Sequence, residues 1–299
     1  MTWALRPLEP AGDADVIYAL WHRSVPTWPI PRERLTAATR GGFVVEHGSR
    51  VVGAVGVQPA GIAYLIVDPE MRGRGIGSDL HAAALASLEA RGVGRAVLGS
   101  GGRPQVWPGI PRDLAETERF FATRGWTMGH VSGDLTQELA TYSAPAGAID
   151  RATAAGISFA VCDSGDAEAL LAYEEREHPN WIPFFREHLA SDPNSILTAR
   201  DASGQIVAAL LIEAPPRYVC FWSTLLGDDA AEIGCVGVAA DRNGEGIGTA
   251  LMAVATERVR DAGALTAYLS WTVRWSFYAR LGYRIWREYQ MADRTLVDR

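Results

Sequence analysis

Apolar and polar positions fall into blocks along this chain, and the blocks come twice in the same order. The runs "AYLIV" (Ala63–Val67) and "IGCVGV" (Ile233–Val238) read as strands, and each precedes a glycine-rich turn and a helix-like segment. Upstream, "FVVEHGSRVVGAVGV" (Phe43–Val57) and "ILTARDASGQIVAALLI" (Ile196–Ile212) each predict strand, tight turn, strand, because β-branched residues surround the turn formers. Downstream, "ERFFATRGW" (Glu118–Trp126) and "WSFYARLGY" (Trp275–Tyr283) each predict a short helix that ends at glycine and passes into a strand.

Each half therefore predicts helices, a hairpin, a strand, the glycine turn, a long helix, a strand, a short helix and a last strand, so the chain reads as a tandem duplication. Its 299 residues are enough for two such domains. The expected division is 1–140 and 157–299, joined by a linker, 141–156, rich in small and turn-prone residues. Insertions distinguish the copies. The first has an extra loop, "GSGGRPQVWPGIPRD", and the second a longer helical front, "EEREHPNWIPFFREHL".

Composition narrows the class. A hydrophobic content of 48% with 21% charged residues is that of a soluble globular protein. The absence of a long apolar run or a signal pattern makes a cytoplasmic protein the expectation. Cys162, Cys220 and Cys235 are scattered, which argues against a zinc site or a disulfide framework. A net charge of −7 disfavours nucleic acid and anionic membranes as partners. All 28 basic residues are arginine, so a lysine-bearing nucleotide loop is excluded.

The chemistry centres on "DPEMRGRGIGSDL" (Asp68–Leu80) and its echo "AADRNGEGIGTAL" (Ala239–Leu251). Glycines at a helix start let backbone N–H groups converge on an anion, and the helix dipole adds positive charge there. A diphosphate suits such a turn. The first loop, with Arg72, Gly75 and Gly77, closely resembles the acyl-CoA pyrophosphate loop of the GNAT acetyltransferase superfamily, and the order of elements resembles that family along nearly the whole chain.

The resemblance implies two tandem α/β (α+β) domains, each a mixed, mostly antiparallel sheet splayed at its fourth strand and flanked by helices. It implies acetyl-CoA as cosubstrate, with no metal, and a candidate donor loop in each copy; whether one or both are occupied, or the first only braces the fold, stays open. In the first, the implied residues are Val67, Arg72, Gly73, Arg74, Gly75, Ile76, Gly77 and Ser78. In the second, they are Val236, Gly237, Val238, Asn243, Gly244, Glu245, Gly246, Ile247, Gly248 and Thr249. Asn243 and Glu245 depart from the family pattern, which favours Arg or Gln before the glycines, and a carboxylate beside a diphosphate is unfavourable unless it faces solvent.

Acyl transfer to an amine needs a proton acceptor and often a tyrosine to protonate the departing thiolate. By resemblance Tyr278 is that acid and Glu232 the base. Phe121 and Gly61 stand at the matching positions of the first copy, so the second copy is the expected catalytic one. His178, Trp181, Trp222 and Trp271 are the expected acceptor-pocket residues, and a small-molecule amine is the expected acceptor. Transfer to oxygen, a longer acyl chain, and a non-catalytic CoA- or metabolite-binding protein stay open. So does the choice between a monomer, as a pseudo-dimer, and a homodimer.

Overall fold

The computed structural model describes residues 2–102 and 105–296; Arg103 and Pro104 of the first copy's extra loop and the last three residues of the second expected domain lie outside that range. The chain forms two compact units, Met1–Ser132 with Arg287–Arg299, and Gly133–Trp286.

The first copy runs β1 (Ala4–Pro7), α1 (Ala14–Ser24), α2 (Arg32–Ala38), β2 (Gly42–His47), β3 (Arg50–Gln58), β4 (Gly61–Val67), α3 (Ile76–Ala90), β5 (Arg95–Leu98), β6 (Ile110–Pro111), α4 (Ala115–Ala122) and β7 (Thr127–Glu138). After α5 (Ala148–Ala154), the second repeats the order with β8 (Ser158–Val161), α6 (Ala167–Glu177), α7 (Ile182–Ser191), β9 (Ile196–Arg200) and β10 (Ile206–Glu213). It continues through α8 (Ser223–Leu226), β11 (Ala230–Val238), α9 (Ile247–Asp261), β12 (Thr266–Thr272), α10 (Trp275–Ala279) and β13 (Arg284–Thr295).

Within the first unit the strand order is β1-β2-β3-β4-β5-β13, and within the second it is β7-β12-β11-β10-β9-β8. The hairpins expected at Phe43–Val57 and Ile196–Ile212 are β2–β3 and β9–β10. The run "AALLI" is apolar throughout because both faces of β10 are covered: Leu210 joins one buried cluster, while Ala209 and Leu211 join another.

The splay is visible in the register. Parallel β4 and β5 pair only at Gly61↔Val97 and Ile62↔Leu98, yet β4 continues to Val67 against β3. In the second unit, β11 and β12 pair only from Ala230 to Glu232, and β11 continues to Val238. Among the described residues, each fourth strand thus ends with one backbone edge that no strand pairs, beside the start of the glycine turn.

The end strands depart from the sequence division. β7 pairs with β12 of the second unit (Thr266↔Glu138, Leu269↔Leu135), and β13 pairs with β5 and β6 of the first (Asp293↔Val97, Tyr289↔Pro111). Each copy's last strand therefore completes the sheet of the other copy's unit, and the compact units do not end at 140 and 157. Hydrophobic alternation specifies a strand and its buried face but not the sheet it joins, so this exchange is silent in the local pattern. Residues 141–156 also differ from a free linker: α5 packs on α9, and Tyr142 and Ala152 are buried in the second unit's core.

Ending the chain after Trp286 removes buried Tyr289, Ala292 and Leu296 from the first unit and the Arg95–Asp293 fork at 2.9 Å. The lost burial is on the order of 5 kcal/mol, comparable with a domain's whole stability. Hydrogen exchange of the truncated chain should show protection lost in β5 and β6 and kept in β9 to β11. Unchanged protection in β5 would contradict the exchange.

Candidate functional site

In the first unit, β4 leaves through Asp68, whose buried carboxylate accepts from the Glu70 amide and pairs with Arg50 at 2.8 Å and Arg23 at 3.3 Å. The chain then turns at Gly75, left-handed at φ +99°, into α3. A side chain there would be strained. No side-chain oxygen caps α3, so the first N–H groups of the helix, which have no intrahelical partner, are available to an anion.

The arginines take different roles. Arg72 folds back, donating to the Ser24 carbonyl at 2.9 Å and the Val67 carbonyl at 3.2 Å, and so ties α1 to the end of β4. Arg74 donates to the Glu70 carbonyl. Arg124, just past α4, lies 3.7 Å over the Phe120 ring and donates to Ser78 Oγ at 2.9 Å, which places a guanidinium at the α3 N-terminus. The sequence reading missed Arg124, because its partner Ser78 is 46 positions away.

A cavity of about 760 Å3 runs along this region. The splayed half of β4 lines one part of it, and Val67, Arg72, Gly73, Gly75, Ile76, Gly77 and Ser78 line another, so seven of the eight donor residues expected in this copy share one cavity; Arg74 is outside it. Trp107, Asp113, Phe120, Phe121 and Arg124 complete further walls. Size, amides and cation together fit a diphosphate with an extended arm.

The second unit keeps the backbone and changes the charge. Gly246 is left-handed at φ +83° and leads into α9, which also lacks a side-chain cap. Arg242, however, forks onto Glu245 at 2.8–3.0 Å and pairs with Asp201 at 3.6 Å. That fork holds the exposed Glu245 carboxyl below its ordinary range. Asn243 turns its amide to the Ala240 carbonyl. Glu177 accepts from the Ala240 amide at 2.9 Å, which, with Arg176 beside it, lowers its pKa. The loop's own cation is thus committed to carboxylates, and Leu281 stands where the first copy has Arg124.

The expected catalytic pair occupies separate surroundings. Tyr278 is buried with Leu281 and Tyr283, and burial raises its pKa. Glu232 is half-buried on β11 and accepts from Tyr218 Oη at 2.5 Å. The expected acceptor residues also separate. Trp222 is buried beside Phe221 and Trp286, whereas Trp271 is 42% exposed.

His178 and Trp181 do meet, with rings 4.4 Å apart, against β11. A Cβ at Gly237 would stand 2.3 Å from His178 Nε2, so only glycine admits the imidazole. Burial lowers the His178 pKa, against the nearby Glu177 carboxylate, which raises it. Next to it, Glu174 is fully buried, and neither of its carboxyl oxygens, the Tyr173 hydroxyl nor His178 Nε2 has a hydrogen-bond partner among the described residues. Burial, with Glu177 nearby, raises the Glu174 carboxyl to about 8.

Among the described residues no group of three or more His, Cys, Asp or Glu is placed to hold a metal, and no helix is long and apolar enough to cross a membrane.

Known proteins match both copies. Residues 162–283 match the Acetyltransferase (GNAT) family and residues 39–127 the Acetyltransferase (GNAT) domain. Mycothiol acetyltransferase of Clavibacter sepedonicus is 32% identical over 235 residues, 75% of this chain and 65% of its own length. Among solved structures, the glucosamine N-acetyltransferase region of a fungal multi-domain GH3 beta-N-acetylglucosaminidase superposes with a TM-score of 0.91 at 25% identity, over 98% of this chain and 38% of that one. A tandem GNAT protein from the clavulanic acid biosynthesis pathway covers 98% of both chains at 16% identity and a TM-score of 0.65, a likeness of fold. The chain thus spans less than two thirds of the first two relatives.

The raised Glu174 pKa has a thermodynamic consequence. Between an ordinary 4.5 and about 8 the folded state keeps a proton that the unfolded state loses, so stability falls as pH rises through that window, by at most about 1.4 kcal/mol per pH unit. Thermal unfolding followed from pH 5 to 8 should show a shallower fall for Glu174→Gln than for the parent. Equal slopes would mean that Glu174 is ionised when folded.

Proposed function

Because the chain belongs to the GNAT acetyltransferase family, with two of its domains in tandem, we propose that it transfers the acetyl group of acetyl-CoA to the amine of a small molecule, with an amino sugar of the glucosamine type as first candidate. The observation that carries the donor assignment is the first unit's cavity, which joins the unpaired edge of β4 to the uncapped α3 N-terminus and Arg124. The fungal glucosamine N-acetyltransferase region supports an amine acceptor, and the mycothiol enzyme supports acetyl transfer.

In this reading the diphosphate lies on the Gly73–Ser78 amides and Arg124, and the arm follows β4. Holding both substrates in one cavity supplies much of the rate by orientation. The nitrogen–carbon bond forms as the thioester carbon–sulfur bond breaks. Of the two protons that the ammonium gives up, one ends on the CoA sulfur and the other in solvent.

A second reading puts transfer in the second unit, with Glu232 as base and Tyr278 as acid. The short Tyr218–Glu232 bond favours it, because it fixes a carboxylate on the fourth strand.

Calorimetric titration with CoA separates the two. Arg124→Ala removes a charge-assisted bond and should weaken binding about ten-fold or more, whereas Arg242→Ala should leave it within two-fold. Release of free thiol from acetyl-CoA should require an amine and fall with the Arg124 variant. Loss in Glu232→Gln and Tyr278→Phe instead, with Arg124→Ala unaffected, would assign transfer to the second unit.

A further inference from the structure

The first unit has glycine and phenylalanine where the second has Glu232 and Tyr278, so its cavity needs another group to receive an amine. We propose that Asp113 binds the acceptor's ammonium group in the first unit; the inference rests on the donor assignment above.

Asp113 lines the cavity just before α4, and Arg124 lines it just past the same helix. Eleven positions separate them, of which α4 supplies eight residues, about 12 Å at the helical rise. One cavity therefore carries two carboxylates, Asp113 and Glu116, at the start of α4 and a guanidinium past its end. A donor whose phosphates sit at the Arg124 end leaves to the acceptor the Asp113 end, where Arg287 pairs with the carboxylate at 3.3 Å and offsets part of its charge.

The carboxylate is held in place. Trp28 Nε1 donates to both its oxygens at 3.1 and 3.2 Å, and Arg287 Nη1 donates at 3.3 Å. Trp28 is itself fully buried, with its carbonyl taken by Trp21 Nε1 at 2.7 Å, and the Arg287 guanidinium lies 4.8 Å over the Trp28 ring. Even so, the Asp113 side chain is 35% exposed, so it is fixed without being covered. Two donors leave lone pairs on a carboxylate, which can take about four bonds.

The surrounding wall is aromatic. Trp107 lines the cavity and packs on Trp21 and Trp28, with rings 4.9 and 5.6 Å apart. A fixed carboxylate beside an apolar aromatic wall selects a small primary ammonium compound over its neutral counterpart.

Arg287 reaches Asp113 from β13, the strand exchanged from the second copy. The same strand pairs with β6 and accepts the Arg112 amide on the Glu288 carbonyl at 3.0 Å. Duplication thus supplies the strand that positions the first copy's carboxylate.

The test compares glucosamine with glucose, equal in shape apart from the amine, as ligands of the CoA-saturated protein. In the parent, glucosamine should bind at least ten-fold more tightly than glucose. Asp113→Asn, nearly equal in volume, should lower glucosamine affinity at least ten-fold, leave glucose affinity within two-fold and leave CoA affinity within two-fold. A merely structural role would move all three together and would overturn the inference. So would an unchanged glucosamine affinity, or a parent protein that does not discriminate the pair. CoA affinity that survives Arg124→Ala would instead remove the donor assignment, an outcome separate from these.

Discussion

Each copy depends on one backbone constraint, a left-handed glycine that turns the end of the fourth strand directly into the long helix. Gly75 and Gly246 share that conformation, and both helices start without a side-chain cap. The turn sets free N–H groups beside a strand edge that has parted from its neighbour. Under the donor assignment proposed above, an extended, diphosphate-bearing acyl carrier would lie along that juxtaposition of amides and unpaired edge in the first unit. The apolar packing of α3 and α9 on their sheets fixes where the amides point.

On this common backbone the copies have separated by charge. The first has Arg124 on Ser78 at the start of α3 and a cavity beside it; the second spends Arg242 on Glu245 and Asp201 and sets Glu177 on the loop. Positions that are apolar in the first copy are polar in the second. Counted back from the shared Pro-x-Trp, Leu20, Trp21 and Val25 correspond to Tyr173, Glu174 and His178. Leaving a buried carboxyl, hydroxyl and ring nitrogen without partners among the described residues opposes stability, since each carries its desolvation cost.

The duplication, both hairpins, the glycine turns and the helices after them were legible in the sequence, because each rests on local periodicity or on residues with a fixed conformational preference. The exchange of β7 and β13 was not, since strand alternation is indifferent to which sheet it completes. Within the site, the first loop was readable from Arg72, Gly75 and Gly77. Arg124 and the Trp28–Asp113–Arg287 set were not, as their members are joined only by folding, across as many as 174 positions. The second copy's Tyr278 and Glu232 were chosen by resemblance, and the contacts of the fold set one among core side chains and the other under Tyr218.

The central claim is that the first unit's cavity is the donor site. A crystal structure with acetyl-CoA tests it most directly. A donor site in the first unit predicts the diphosphate on Gly73–Ser78, with Arg124 within hydrogen-bond distance and the arm along β4. A diphosphate held only on Gly244–Thr249, with the first cavity empty, would contradict it.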